Sequence, residues 1–150
     1  MLDRIRENVH EATFTKETVE RKLKNEKRAF LKAYDNEMAN NLRSKFEILN
    51  NDRSLITPDS PLVRSLILAI TLATRIEHFP EDANNSEALE VPTLIVKSIE
   101  LLMAAGLNES LLKWFRSNKT LPLLWFKLPE AYLNSQSLKI NLWMIHILLQ

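Results

Sequence analysis

Ser60-Pro61-Leu62-Val63-Arg64-Ser65-Leu66-Ile67-Leu68-Ala69-Ile70-Thr71-Leu72-Ala73 is the stretch whose reading decides the fold class. A serine side chain can accept a hydrogen bond from an unpaired N–H of a first helical turn, and proline at the next position costs nothing because its missing N–H would have had no partner. The apolar run from Leu66 to Ala73 is too short for a membrane-spanning helix, which needs roughly 18 residues, and Arg64 and Arg75 flank it. This is a helix of a protein core, expected from Pro61 to about His78 and stopped before Pro80.

Working toward the C-terminus, the same punctuation repeats. Glu81-Asp82-Ala83-Asn84-Asn85-Ser86 is polar loop, and a further helix begins near Pro92, or at Ser86 with a bend, and ends at Gly106, the position after a helix where a left-handed residue is favoured. Asn108 is placed to cap a short helix through Trp114 and Phe115. Pro122 and Pro129 divide the next stretch into short helical pieces, and Ser135 or Ser137 opens a last helix reaching Gln150. That helix is apolar on nearly every face, from Leu138 through Leu142, Trp143 and Ile145 to Leu149, and must be enclosed by other helices or by a partner.

Toward the N-terminus the composition changes. Residues 1–57 hold 12 Lys/Arg and 10 Asp/Glu, against 8 and 9 in the longer stretch 58–150. Val19, Leu23, Phe30, Tyr34, Met38, Leu42, Phe46 and Leu49 recur at steps of three, four or seven, one face of a helix from about Thr15 to about Asn50. Residues 1–14 are expected to form a preceding short helix through Leu2, Ile5, Val9 and Ala12. The apolar stripe is narrow, so the N-terminal half of the arm either projects or pairs with another copy. The expected organisation is therefore a charged helical arm, 1–57, and a helical core domain, 58–150, with the turn residues Asn50–Ser54 and Thr57–Pro61 between them.

Composition supports an all-α, compact helical bundle with a long charged N-terminal helix. Apolar residues at 45% and charged residues at 26% are globular values and argue against wholesale disorder. The single glycine argues against β-hairpins and against Gly-rich phosphate loops. Cysteine is absent, which removes disulfides, thiolate catalysis and Cys-ligated zinc together. Met1–Glu7 shows no secretory h-region, so the sequons at Asn84, Asn108 and Asn118 read as chance. A net charge of +1 leaves any electrostatic partner to be recognised by a local patch.

No catalytic constellation is visible, and no cofactor or metal site is expected. His10, His78 and His146 lie in separate segments without metal-ligand spacing, His146 near the core and the other two at the surface. The strongest charge signal is Arg21-Lys22-Leu23-Lys24-Asn25-Glu26-Lys27-Arg28-Ala29-Phe30-Leu31-Lys32, with six bases and one acid. Arg21, Lys24 and Arg28 share a helix face, and Lys22, Lys27 and Lys32 widen the patch. It is either a solvated face balanced by Glu17, Glu20 and Glu26, or a contact for RNA phosphates, an acidic protein surface or the import machinery. Trp114, Trp125, Phe126 and Trp143 are expected in the structural core. Neighbours on a helix point about 100° apart, so one member of each Trp-Phe pair can face outward and anchor a partner.

Lys119-Thr120-Leu121-Pro122-Leu123-Leu124-Trp125-Phe126, followed by Leu138-Lys139-Ile140-Asn141-Leu142-Trp143, resembles the C-terminal region of the paramyxovirus C proteins, in particular those of the morbillivirus type. The shared features are a Lys-x-Leu-x-Leu-x-Trp-Phe run, then Leu-Lys with a tryptophan four residues after that lysine, before an aliphatic end. Weaker agreement extends over Ile95 to Met103. Pro122 and Pro129 interrupt what is a more continuous helix in those proteins, and their long basic tail has no counterpart, which points to a relative outside the morbilliviruses proper.

The resemblance implies a non-structural accessory protein, read from an alternative frame of the phosphoprotein gene; its expected place is the host-cell cytoplasm, with the nucleus as an additional site. It implies regulation of the viral polymerase with its phosphoprotein and antagonism of interferon responses, through contacts with host innate-immunity proteins. Two other readings stay open: an oligomerising structural protein that self-associates through its arm, and a single-stranded RNA binder acting through residues 21–32.

Overall fold

Backbone groups at helix ends need partners, and at several ends of this chain adjacent residues supply them. The computed structural model describes the backbone of residues 2–75 and 89–150 and the side chains of residues 16–75 and 89–150. Among the described residues there are seven α-helices and no strand: α1 Leu2–Asn51, α2 Pro61–Ala73, α3 Glu90–Ala104, α4 Asn108–Phe115, α5 Thr120–Trp125, α6 Glu130–Ser135 and α7 Leu138–Leu149. A single 3₁₀ turn, Arg53–Leu55, follows α1, and the Asp52 side chain caps it.

Ser60 Oγ accepts from the Val63 N–H at 3.4 Å, with Pro61 opening α2. Ser137 Oγ likewise accepts from the Ile140 N–H at 3.3 Å and donates to Glu100 Oε1 at 3.2 Å, tying the start of α7 to α3. Gly106 has φ +86°. Its N–H reaches the Met103 carbonyl and that of Leu107 the Leu102 carbonyl, each at 3.0 Å. This paired closure requires the left-handed residue that glycine supplies without strain, and the buried Leu102 and Leu107 flank it. Pro92 and Pro122 are the third residues of α3 and α5, where an N–H would have no intrahelical partner.

Four boundaries differ from the sequence expectation. The arm is one helix from Leu2 rather than two, since no proline or glycine interrupts residues 2–51. Helix α2 closes at Ala73 because the Thr74 hydroxyl and N–H both turn back to the Thr71 carbonyl, at 2.9 and 3.3 Å; the expected continuation through His78 and the loop 81–86 lie outside the described residues. Helix α3 starts at Glu90, whose carboxylate pairs with Arg43. Asn108 is the first residue of α4 rather than its cap, because Leu107 already closes α3.

The chain divides into two compact units, Met1–Asn36 and Glu37–Gln150. The division falls inside α1, not at the Thr57-Pro58 turn expected from composition. Ala39, Leu42 and Leu49 explain the difference: all three are buried in the core of the second unit, and Met38 and Phe46 pack against it. That core is completed by α2, α3, Leu111 and Phe115 of α4, Leu121, Leu124 and Trp125 of α5, and Ile140, Trp143, Met144 and Ile147 of α7. In the first unit α1 carries only exposed residues from Lys16 to Phe30.

Candidate functional site

Two faces combine exposure with a composition that invites contact. The first lies on α1 within the Met1–Asn36 unit. Arg21, Lys22, Lys24, Lys27, Arg28 and Lys32 are all exposed, and among the described residues none of them pairs with an acid. At 100° per residue, Arg21, Lys24, Arg28 and Lys32 fall within an arc of roughly 80°, with Lys22 and Lys27 to either side. Val19, Leu23 and Phe30 lie on the opposite side, at 45, 58 and 59% exposure. Phe30 and Tyr34 stack at 6.4 Å between ring centroids. Glu17 and Glu20 stand four residues before Arg21 and Lys24, an arrangement that relieves part of the repulsion along the face without an ion pair.

The second face belongs to α5 and α7, in the other unit. These helices pack together, and one polar node locks them. Trp125, fully buried, donates its indole N–H to Asn141 Oδ1 at 2.8 Å, while Asn141 Nδ2 donates to the Leu133 carbonyl at 3.1 Å. A buried indole N–H without an acceptor costs about 1–3 kcal/mol, so Asn141 is the one polar side chain that lets tryptophan stand at position 125. Trp143 packs edge-on against Phe115 at 5.9 Å, and Trp125 edge-on against Tyr132 at 5.9 Å. Tyr132 shares a 2.8 Å hydrogen bond with Thr93, linking α6 to α3. Burial pushes its phenol above the ordinary tyrosine range, partly offset by the Thr93 hydrogen bond.

On their outward sides the same two helices expose Leu123, Phe126, Leu138, Leu142, Ile145 and Leu149. Phe126 was expected in the core, and its 38% exposure corrects that expectation. It caps the C-terminal end of α5, where the turn of about 100° that buries Trp125 aims its neighbour toward solvent. Trp125 and Trp143 are core residues and Trp114 is half-buried against the core. His146, expected near the core, is exposed and sits 3.2 Å from Gln150; the side chains of His10 and His78 lie outside the described residues.

Sequence reasoning identified α7 as apolar all round but not which side would remain uncovered, since Ile140 and Leu142 are equally hydrophobic and only packing distinguishes them. It also passed over Asn141. The signal was the one amide within a mostly apolar helix, and the residue it serves lies 16 positions away.

The described residues contain no cluster of three or more His, Asp or Glu able to hold a metal ion, and no helix long and apolar enough to cross a membrane. An open depression lined by Phe46, Asn50, Arg53, Lys97, Glu100, Leu101 and Ala104 holds charges of both signs. The chain matches no protein-family model, no curated protein and no solved structure.

Proposed function

We propose that this chain is a paramyxovirus C-type accessory protein, one that works by protein–protein contact rather than by catalysis. In this reading it restrains viral RNA synthesis by binding the polymerase–phosphoprotein complex, and blunts interferon responses by binding host innate-immunity proteins, in the host-cell cytoplasm and nucleus. The observation that carries the reading is the way the residues of the resemblance divide. Leu121, Leu124, Trp125, Ile140 and Trp143 are buried and Asn141 bonds Trp125, so they form one packed unit; Leu123, Phe126, Leu138 and Leu142 remain exposed around it. A packed helical core that leaves large apolar side chains exposed around it supports a protein that works by contact with partners.

The test is a paramyxovirus minireplicon run beside an interferon-responsive reporter in vertebrate cells, with the chain titrated in. Dose-dependent suppression of both signals is the expected result. Normal signals at expression levels verified by blotting would remove the viral reading.

The basic face of α1 favours a second reading, single-stranded RNA binding. Six exposed cations without acidic partners among the described residues could neutralise phosphates and release counterions, which would make affinity fall steeply with salt. Fluorescence anisotropy with a labelled oligonucleotide tests it. Binding at low salt that disappears in the variant carrying Arg21→Glu, Lys24→Glu and Arg28→Glu supports this reading, and no binding at low salt ends it.

A further inference from the structure

The exposed apolar residues of α7 are not scattered. Leu138, Leu142, Ile145 and Leu149, exposed by 73, 53, 41 and 81%, follow one another at steps of four, three and four. At 100° per residue they fall within roughly 60° of one another, on the side of α7 opposite Ile140, Met144 and Ile147, which are buried. Alternating four–three spacing is the seam of a helix that packs against another helix along its length.

We infer that this seam is a self-association site, on which α7 of a second copy of the chain lies antiparallel. Three observations identify the occupant. The spacing is symmetric about a point between Trp143 and Met144, so a two-fold axis there sets Leu138 against Leu149 of the other copy and Leu142 against Ile145. A two-fold contact requires such a self-matching surface. The second observation is charge. Lys139 is the one Lys, Arg, Asp or Glu in α7. Antiparallel pairing brings it to the C-terminal end of the other α7, where the helix dipole is negative, and holds the two lysines about 13 Å apart along the axis. Parallel pairing would bring both lysines to the same end and align the dipoles. The third is the absence of an acid from α7, so the seam offers a basic or acidic partner helix no opposite charge beyond that lysine.

A helix of 12 residues is about 18 Å long and buries less than the roughly 800 Å² per partner of a standard interface, so the dimer is weak, with a Kd between about 1 μM and 1 mM.

The test is sedimentation equilibrium over a concentration series, together with disulfide trapping, which the cysteine-free chain permits without background. Wild type is expected to pass from monomer to dimer with rising concentration. Leu142→Glu is expected to raise the dissociation constant at least about tenfold with an unchanged helical spectrum and melting curve, as suits an exposed position. A variant carrying Leu23→Glu and Phe30→Glu, on α1, is expected to dimerise as wild type does. In an equimolar mixture of Leu138→Cys and Leu149→Cys proteins, the mixed disulfide is expected to dominate. A wild-type monomer at every concentration, a dimer insensitive to Leu142→Glu but lost in the α1 variant, or trapping of like with like would each overturn the inference.

Discussion

Asn141 shows how much can depend on one amide. It accepts from Trp125 and donates to the Leu133 carbonyl, which also accepts the Gln136 N–H, so Asn141→Leu would strand a buried indole N–H while adding no cavity. The expected loss is about 1–3 kcal/mol in urea denaturation. Trp125→Ala, which empties the largest fully buried side chain, is expected to cost about 3–5 kcal/mol in the same measurement. Tyr132 adds a dependence on pH. Its phenol is raised in the folded state, so folding favours the protonated form; the contribution is intact below the ordinary tyrosine pKa of about 10 and is lost as pH rises through the higher folded value. Denaturation midpoints followed from neutral pH to strongly alkaline pH are expected to fall more steeply for wild type than for Tyr132→Phe.

At the scale of elements, the two halves of α1 are expected to respond differently to the same substitution. Leu42→Ala, in the core, should cost about 2–5 kcal/mol, whereas Leu23→Ala, 58% exposed, should change stability by less than about 0.5 kcal/mol. Equal losses in chemical denaturation would contradict this division of the helix. Gly106→Ala isolates a turn: nothing lies within 4 Å of where a Cβ would stand, so the expected loss of about 1–2 kcal/mol is purely conformational. Most of these elements were legible in the sequence because their signals are local. Ser60 with Pro61, Gly106 and Ser137 each mark a helix end through a hydrogen bond to a residue a few positions away. What the sequence hid is non-local. Nothing near Met38 says that the arm's apolar stripe becomes part of a core there and not at Val19. Nor does anything near Phe126 say that it faces solvent while Trp125 does not, since the burial of each is decided by helices far along the chain.

For the whole molecule, the proposed function rests on what folding leaves outside. The two units differ in kind: α1 from Lys16 to Asn36 offers cations on one side and sparse apolar residues on the other, and the Glu37–Gln150 unit offers an apolar face built on a closed core. Burying a Trp-rich core against α7 is strongly favourable, yet the same helix exposes four large aliphatic side chains in register, an arrangement that costs solubility unless something covers them. The sequence disclosed the basic run 21–32 in full, since charge is readable without a fold. It disclosed the α7 face only as an excess of hydrophobicity, since which residues are left over depends on which ones the core takes.

Whether the protein acts through these faces is best tested by affinity purification with mass spectrometry. Three forms would be expressed in infected vertebrate cells: wild type, the α1 variant carrying Arg21→Glu, Lys24→Glu and Arg28→Glu, and a variant carrying Leu123→Glu and Phe126→Glu. Wild type is expected to recover the viral polymerase complex and host innate-immunity proteins, and at least one variant, still helical, is expected to lose a defined subset of them. Recovery of neither class by wild type, or an identical set of partners from all three forms, would rule out action through these faces.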